Sequence, residues 1–117
     1  MIQENKELLL RDLCARLPYG VKVEYKNEIF DVEHVSPMYE EVKLDTYETW
    51  TIDVSDIKPY LFPLSSMTWE QECQYREVIA SSLNHYEVYD WFNKNHFDYR
   101  CLIEKGLAID ATGKNIY

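Results

Sequence analysis

The hydrophobic period of the chain changes at residues 18–20, and that change constrains the fold more than any other feature. From Gln3 to Leu17 the apolar side chains Leu9, Leu10, Leu13, Cys14 and Leu17 recur at three- and four-residue steps, the spacing of one helical face. Glu4, Arg11 and Asp12 are assigned to the wet side. Pro18 and Gly20 stop the helix, because proline cannot continue the hydrogen-bond ladder and glycine accepts the backbone of a tight exit. Beyond them the period is two. Val21, Val23 and Tyr25 alternate with Lys22, Glu24 and Lys26, and Phe30, Val32 and His34 alternate with Asp31 and Glu33. With the turn-prone Asn27 between them, these runs predict an antiparallel hairpin, His34 turned to its apolar side.

A second pair follows Pro37, with Met38, Val42 and Leu44 on one face of its first run and Trp50, Ile52 and Val54 on one face of its second. Asp45, Thr46 and Tyr47 read as its turn. Pro59 and Pro63 bracket Tyr60, Leu61 and Phe62, which predicts an extended apolar connector. Thr68 and Gln71 then match the capping-box spacing, so a helix starts there. Its inward stripe reads as Trp69, Cys73, Ile79, Ala80 and Leu83, with Arg76 inside the stripe. A further helix from Tyr86 to Asn95 sets Val88, Trp91 and Phe92 inward and leaves Tyr86 and Tyr89 on the border. A last turn of helix through Tyr99, Leu102 and Ile103 ends at Gly106, before a polar tail. The expected fold is a single α+β domain over residues 1–117: an N-terminal helix as lid, a four-stranded antiparallel meander or small barrel-like sheet, and two to three C-terminal helices.

Composition narrows the function. Twelve Lys and Arg stand against 21 Asp and Glu, net -9, which disfavours binding to phosphate backbones. The longest early apolar run, Leu8-Leu9-Leu10, is too short for a signal-peptide core or a membrane span. Cys14, Cys73 and Cys101 are odd in number and far apart, so they read as buried thiols in a reducing cytoplasm rather than as a disulfide framework or zinc knuckle. No phosphate-cradling, nucleophile-elbow or zincin motif occurs, and no two of His34, His85 and His96 have the spacing of a zinc helix. No metal or cofactor is expected.

The acids Glu24, Glu28, Asp31 and Glu33, with Glu40, Glu41, Asp45, Glu48 and Asp53, concentrate on the sheet half. They form either a solvated outer face or a surface that imitates nucleic acid toward a basic groove of another protein. Ten tyrosines add a second candidate contact surface, because tyrosine brings large area at low entropy cost. The one enzyme-like cluster is His96, Asp98, Tyr99, Arg100 and Cys101, which has the groups for acid–base or nucleophilic chemistry. Its structural reading is Asp98 as a cap, Tyr99 and Cys101 as packing, and Arg100 as a surface or ion-paired residue.

The segments Asp12-Leu13-Cys14-Ala15-Arg16-Leu17-Pro18-Tyr19-Gly20, Lys58-Pro59-Tyr60-Leu61, Ser65-Ser66-Met67-Thr68 and Phe97-Asp98-Tyr99-Arg100-Cys101-Leu102-Ile103-Glu104-Lys105-Gly106-Leu107 resemble a family of small uncharacterised proteins from gut anaerobic bacteria and their prophage-like elements. In that family the position of Cys101 is more commonly glycine. The resemblance implies a mobile-element accessory protein that works by binding host or phage proteins, and assigns no residue a role.

The leading expectation is a non-enzymatic, acidic, cytoplasmic protein that binds another protein. Its contact surface is the acidic sheet face or the aromatic border of the C-terminal helices, with Tyr86, Tyr89, His96, Tyr99 and Arg100 as candidate binding residues. The alternative is a small enzyme or ligand-binding domain with a site near His96, Asp98, Tyr99 and Arg100.

Overall fold

The computed structural model describes residues 1–45, 51–81 and 85–117. Helix α1 (Gln3–Arg16) runs into a 3₁₀ turn, Leu17–Tyr19, that carries Pro18, and Gly20 leaves it at φ 85°. The chain exits where the sequence predicts, because Gly20 takes a left-handed backbone that a side chain would disfavour. Strands β1 (Lys22–Tyr25) and β2 (Glu28–Ser36) form the predicted hairpin, with Tyr25 opposite Glu28. Both linking residues, Lys26 and Asn27, have positive φ, the backbone that matches a two-residue turn to the twist of its strands. Strand β3 (Glu41–Leu44) pairs antiparallel with β2, and β4 (Ile52–Asp53) pairs with β3. Trp50 and the predicted turn residues Thr46 and Tyr47 lie outside the described residues.

The sheet is larger than the predicted four strands, and it is mixed. Residues 58–63, expected as a connector, form β5 (Lys58–Pro63), which pairs antiparallel with β1. Two more strands, β6 (Phe97–Asp98) and β7 (Ile109–Asp110), pair parallel with β5, so seven strands run in the order β4-β3-β2-β1-β5-β6 with β7 also on β5. Two prolines disguised β5. Pro63 stands at its end and Pro59 spans the pairing with Val23 without donating a hydrogen bond. Strands of two residues, such as β6 and β7, are too short to show a period.

The core lies between α1 and the sheet: Leu9 and Leu13 of α1 meet Val21, Val23, Val32, Val42, Leu44, Ile52 and Leu61, joined by Leu102 and Leu107 from the C-terminal turns. His34 is exposed rather than turned inward. The register between β2 and β3 shifts between Val32 and His34, and such a bulge reverses which side of the strand the following residues face. Val35 accordingly packs against the core in its place.

Helices α2 (Trp69–Ser81) and α3 (Tyr86–Lys94) pack on each other. Thr68 caps α2 as predicted: its hydroxyl accepts from Gln71 N–H at 3.2 Å and the Gln71 carbonyl oxygen accepts from Thr68 N–H at 2.9 Å. The predicted inward stripe of α2 is not its buried side, however. Trp69, Ile79 and Ala80 are exposed and Cys73 is half-buried. Tyr75 faces α3 instead, its ring 5.8 Å from Trp91 and 5.3 Å from Phe92. Leu83 lies outside the described residues. The expected helical turn at residues 99–103 is a succession of turns, organised by Asp98, whose two carboxylate oxygens accept from the N–H groups of Leu102 and Ile103. The cysteines also depart from expectation, Cys14 and Cys101 being exposed.

Candidate binding groove

Asp12 and Arg16 stand one turn apart on α1, and neither side chain is exposed at all. Arg16 Nε donates to Asp12 Oδ2 at 2.8 Å, and Arg16 Nη2 donates to the Phe97 carbonyl at 2.7 Å, which ties α1 to β6. The second oxygen of Asp12 accepts from Arg100 Nη1 at 2.7 Å. One carboxylate thus holds two guanidinium groups, one in the core and one at the surface. A buried charge is tolerated only when its partners are in place.

This anchoring fixes the aromatic residue beside it. The Arg100 guanidinium lies 4.5 Å from the Tyr99 ring centroid and that of Arg16 lies 5.4 Å from it, within reach of the ring's negative face. The same ring is 5.4 Å from Phe92 and 5.2 Å from Tyr89, and the Tyr99 hydroxyl donates to Asn93 Oδ1 at 2.9 Å. Around Tyr99 an open groove of about 550 Å³ forms. Arg11 and Ala15 of α1 line one side, Tyr86, Tyr89, Asp90 and Asn93 of α3 line the other, and Tyr99 and Arg100 complete it. The volume suits a side chain or a short segment of a partner rather than a single atom.

Four of the five residues named from sequence therefore share one groove: Tyr86, Tyr89, Tyr99 and Arg100. His96 does not line it. Its ring stacks on Tyr117 with centroids 3.5 Å apart and planes 10° from parallel. Burial first, and then the positive charges of Arg16 and Lys22, pull the imidazole pKa down to about 4. The ring is neutral near pH 7, and its Nδ1 has no partner among the described residues. Asp98 spends both oxygens on backbone N–H groups. The acid and base of the sequence cluster thus take up separate structural tasks, away from Tyr99 and Arg100.

Charge alone assigns Asp12 to the wet side, a placement the structure reverses, and Arg16 has no assigned face. The signal was present: residues 9, 12, 13 and 16 follow the same i, i+3, i+4, i+7 pattern, so both charges lie on the face of Leu9 and Leu13. Arg16 Nη1 is also buried without a partner among the described residues.

On the sheet side, Lys22 pairs with Asp31 and Lys43 with Glu33. The hydrogen bond and charge of Lys43 hold the Glu33 carboxyl below its usual range. Part of the acidic face is therefore neutralised within the sheet. Among the described residues, no three His, Cys, Asp or Glu side chains gather closely enough to hold a metal ion, and no helix is long and apolar enough to cross a membrane.

Comparison with known proteins returns no protein-family model, no curated protein and no solved structure that matches the chain.

Proposed function

We propose that the protein is a non-enzymatic binding protein that engages another protein through the groove formed by Tyr86, Tyr89, Tyr99 and Arg100. The observation that carries this reading is the convergence of three tyrosines and an arginine on one open groove with a braced floor. Tyrosine and arginine are the residue types that dominate binding energy at protein interfaces, and side chains already fixed before binding lose little entropy in the complex. The acid–base alternative lacks comparable support, since His96 and Asp98 are committed elsewhere. The three cysteines are free, which supports a reducing cytoplasm as the place of action. The accessory role in a mobile element rests on the resemblance of residues 97–107 and the other quoted segments.

The test is affinity capture by the wild-type chain and by a Tyr86→Ala/Tyr89→Ala variant, with Glu28→Gln at the hairpin tip as control. A partner retained by the wild type and the control, and lost from the double variant, is the expected result. No enriched partner, or capture indifferent to the double substitution, overturns the reading.

A further inference from the structure

Positive charge gathers at the tyrosine groove of a protein whose net charge is -9. The chain has four arginines, at positions 11, 16, 76 and 100, and three of them stand on the groove or on the brace behind it. Asp12 is a single carboxylate shared by Arg16 and Arg100, so the brace is positive by one. Arg11 adds a further charge on the α1 wall. It is exposed and makes no ion pair among the described residues, not even with Glu7 one turn before it. Asp90 lines the α3 wall, also unpaired among the described residues. Arg11 and Asp90 thus border the same volume without meeting, and Arg11, Arg16 and Arg100 outnumber Asp12 and Asp90 there.

The donors left over specify what fits. Arg100 spends Nη1 on Asp12, and its other guanidinium nitrogens make no hydrogen bond among the described residues, while its side chain is 18% exposed. A guanidinium is always charged and presents its donors in one plane, the geometry of a carboxylate. Asp12 and the Tyr99 ring, 4.5 Å away, hold that plane before anything binds. Next to it Tyr89, 46% exposed and backed by Tyr99 at 5.2 Å, offers flat apolar surface. A basic occupant would meet Arg11 and Arg100. A phosphate, with a charge of about -1.5 to -2, would exceed the local surplus and press on Asp90. Taking the groove as the contact surface proposed above, we infer that it receives an acidic side chain of the partner protein. Its carboxylate sits on Arg100 and Arg11, an aromatic or aliphatic neighbour lies on Tyr89, and a backbone N–H donates to Asp90. The net -9 is carried mainly by the sheet half, and salt screens that field more than it screens a carboxylate in contact with a guanidinium.

The probes are capped hexapeptides of one scaffold that carry Phe-Glu, Phe-Gln, Phe-Lys or Phe-phosphoserine at the centre, titrated into the isotope-labelled full chain and followed by amide NMR shifts. The Phe-Glu peptide is expected to shift resonances of residues 11–15, 86–93 and 99–100 and to bind about tenfold or more tightly than Phe-Gln, the advantage of a charge-assisted hydrogen bond. Phe-Lys is expected not to bind. Arg11→Gln, at an exposed and unpaired position, narrows the preference for Phe-Glu, Arg11→Glu turns it toward Phe-Lys, and Glu28→Gln leaves it unchanged. Equal binding of Phe-Glu and Phe-Gln, tighter binding of the lysine or phosphoserine peptide, shifts away from the groove, or no binding overturns the acidic occupant. Partner capture that depends on Tyr86 and Tyr89 but not on Arg11 also overturns it and leaves the groove standing, whereas capture indifferent to all three overturns the groove as well.

Discussion

Asp12 accepts from Arg16 through one carboxylate oxygen and from Arg100 through the other, at 2.8 and 2.7 Å. Two residues 84 positions apart in sequence are thereby joined through one side chain on α1, and the floor of the groove is tied to the core. Replacing Asp12 by Asn keeps the shape and removes the charge. The Arg16 guanidinium would then be buried with no anion beside it, a change that costs about 3–5 kcal/mol when a buried pair is broken. Urea unfolding of Asp12→Asn measures the loss, and Arg11→Ala, at an exposed position of the same helix, is expected within about 0.5 kcal/mol of wild type.

His96 sets an acid-side dependence. Its pKa falls from 6.5 to about 4 in the folded chain, so between those values the unfolded chain binds the extra proton. Stability is therefore complete above about pH 6.5 and declines as pH falls toward 4, by no more than about 1.4 kcal/mol per pH unit from this one group. His96→Asn keeps a residue type that tolerates the positive φ of 63° found there and removes the titration. The slope of stability against pH in that window is expected to flatten in the variant.

Tyr117 is the other half of the stack. Its hydroxyl accepts from Lys22 N–H and donates to the Tyr60 carbonyl, both at 2.9 Å. Burial is the main cause that pushes its pKa up to about 12. Tyr117→Phe leaves the ring and removes both hydrogen bonds, an expected loss of about 1 kcal/mol by chemical denaturation. Because the folded pKa lies above the unfolded one, the contribution of this phenol is full below pH 10 and is lost as pH rises through 12. Ultraviolet titration of the wild type is expected to show a late-ionising phenol component that is reduced in Tyr117→Phe.

What the sequence disclosed follows from periodicity. The α1 face, the β1–β2 hairpin and the capping box of Thr68 and Gln71 are local patterns with a local cause. What it hid depends on distant partners. Strand β5 exists because β1, β6 and β7 lie beside it, and nothing within residues 58–63 announces that. His34 faces outward through a one-residue register shift. The groove was half legible: tyrosine and arginine at residues 86, 89, 99 and 100 are conspicuous as residue types, whereas the Asp12–Arg16 brace depends on reading two charges as core residues. For α2, hydropathy picked Trp69, Ile79 and Ala80 as inward, and these are exposed, while the contact with α3 is made by Tyr75.

Cys101 stands at φ 60°, is exposed, and follows the Asp98–Arg100 segment that shapes the groove. A left-handed backbone costs a residue with a Cβ about 1–2 kcal/mol, a cost glycine does not carry. Cys101→Gly is therefore expected to keep the fold and to be neutral or to gain up to about 1 kcal/mol, the greater freedom of unfolded glycine offsetting part of the relief. Cys101→Val, β-branched at the same φ, is expected to lose stability. Thermal unfolding of the two variants under reducing conditions checks both signs.

Helix α2 depends on its cap more than a buried helix would. It has no buried residue, so little packing compensates if its first turn opens, and Thr68 and Gln71 satisfy two of the backbone groups that matter there. Thr68→Ala removes one of those bonds and should cost about 1 kcal/mol locally. Because α2 is a peripheral element, the expected signature is faster amide exchange across residues 69–81 with little change in the β1–β2 hairpin or α1. Uniform loss of protection over the whole chain would instead mean that α2 unfolds only with the core.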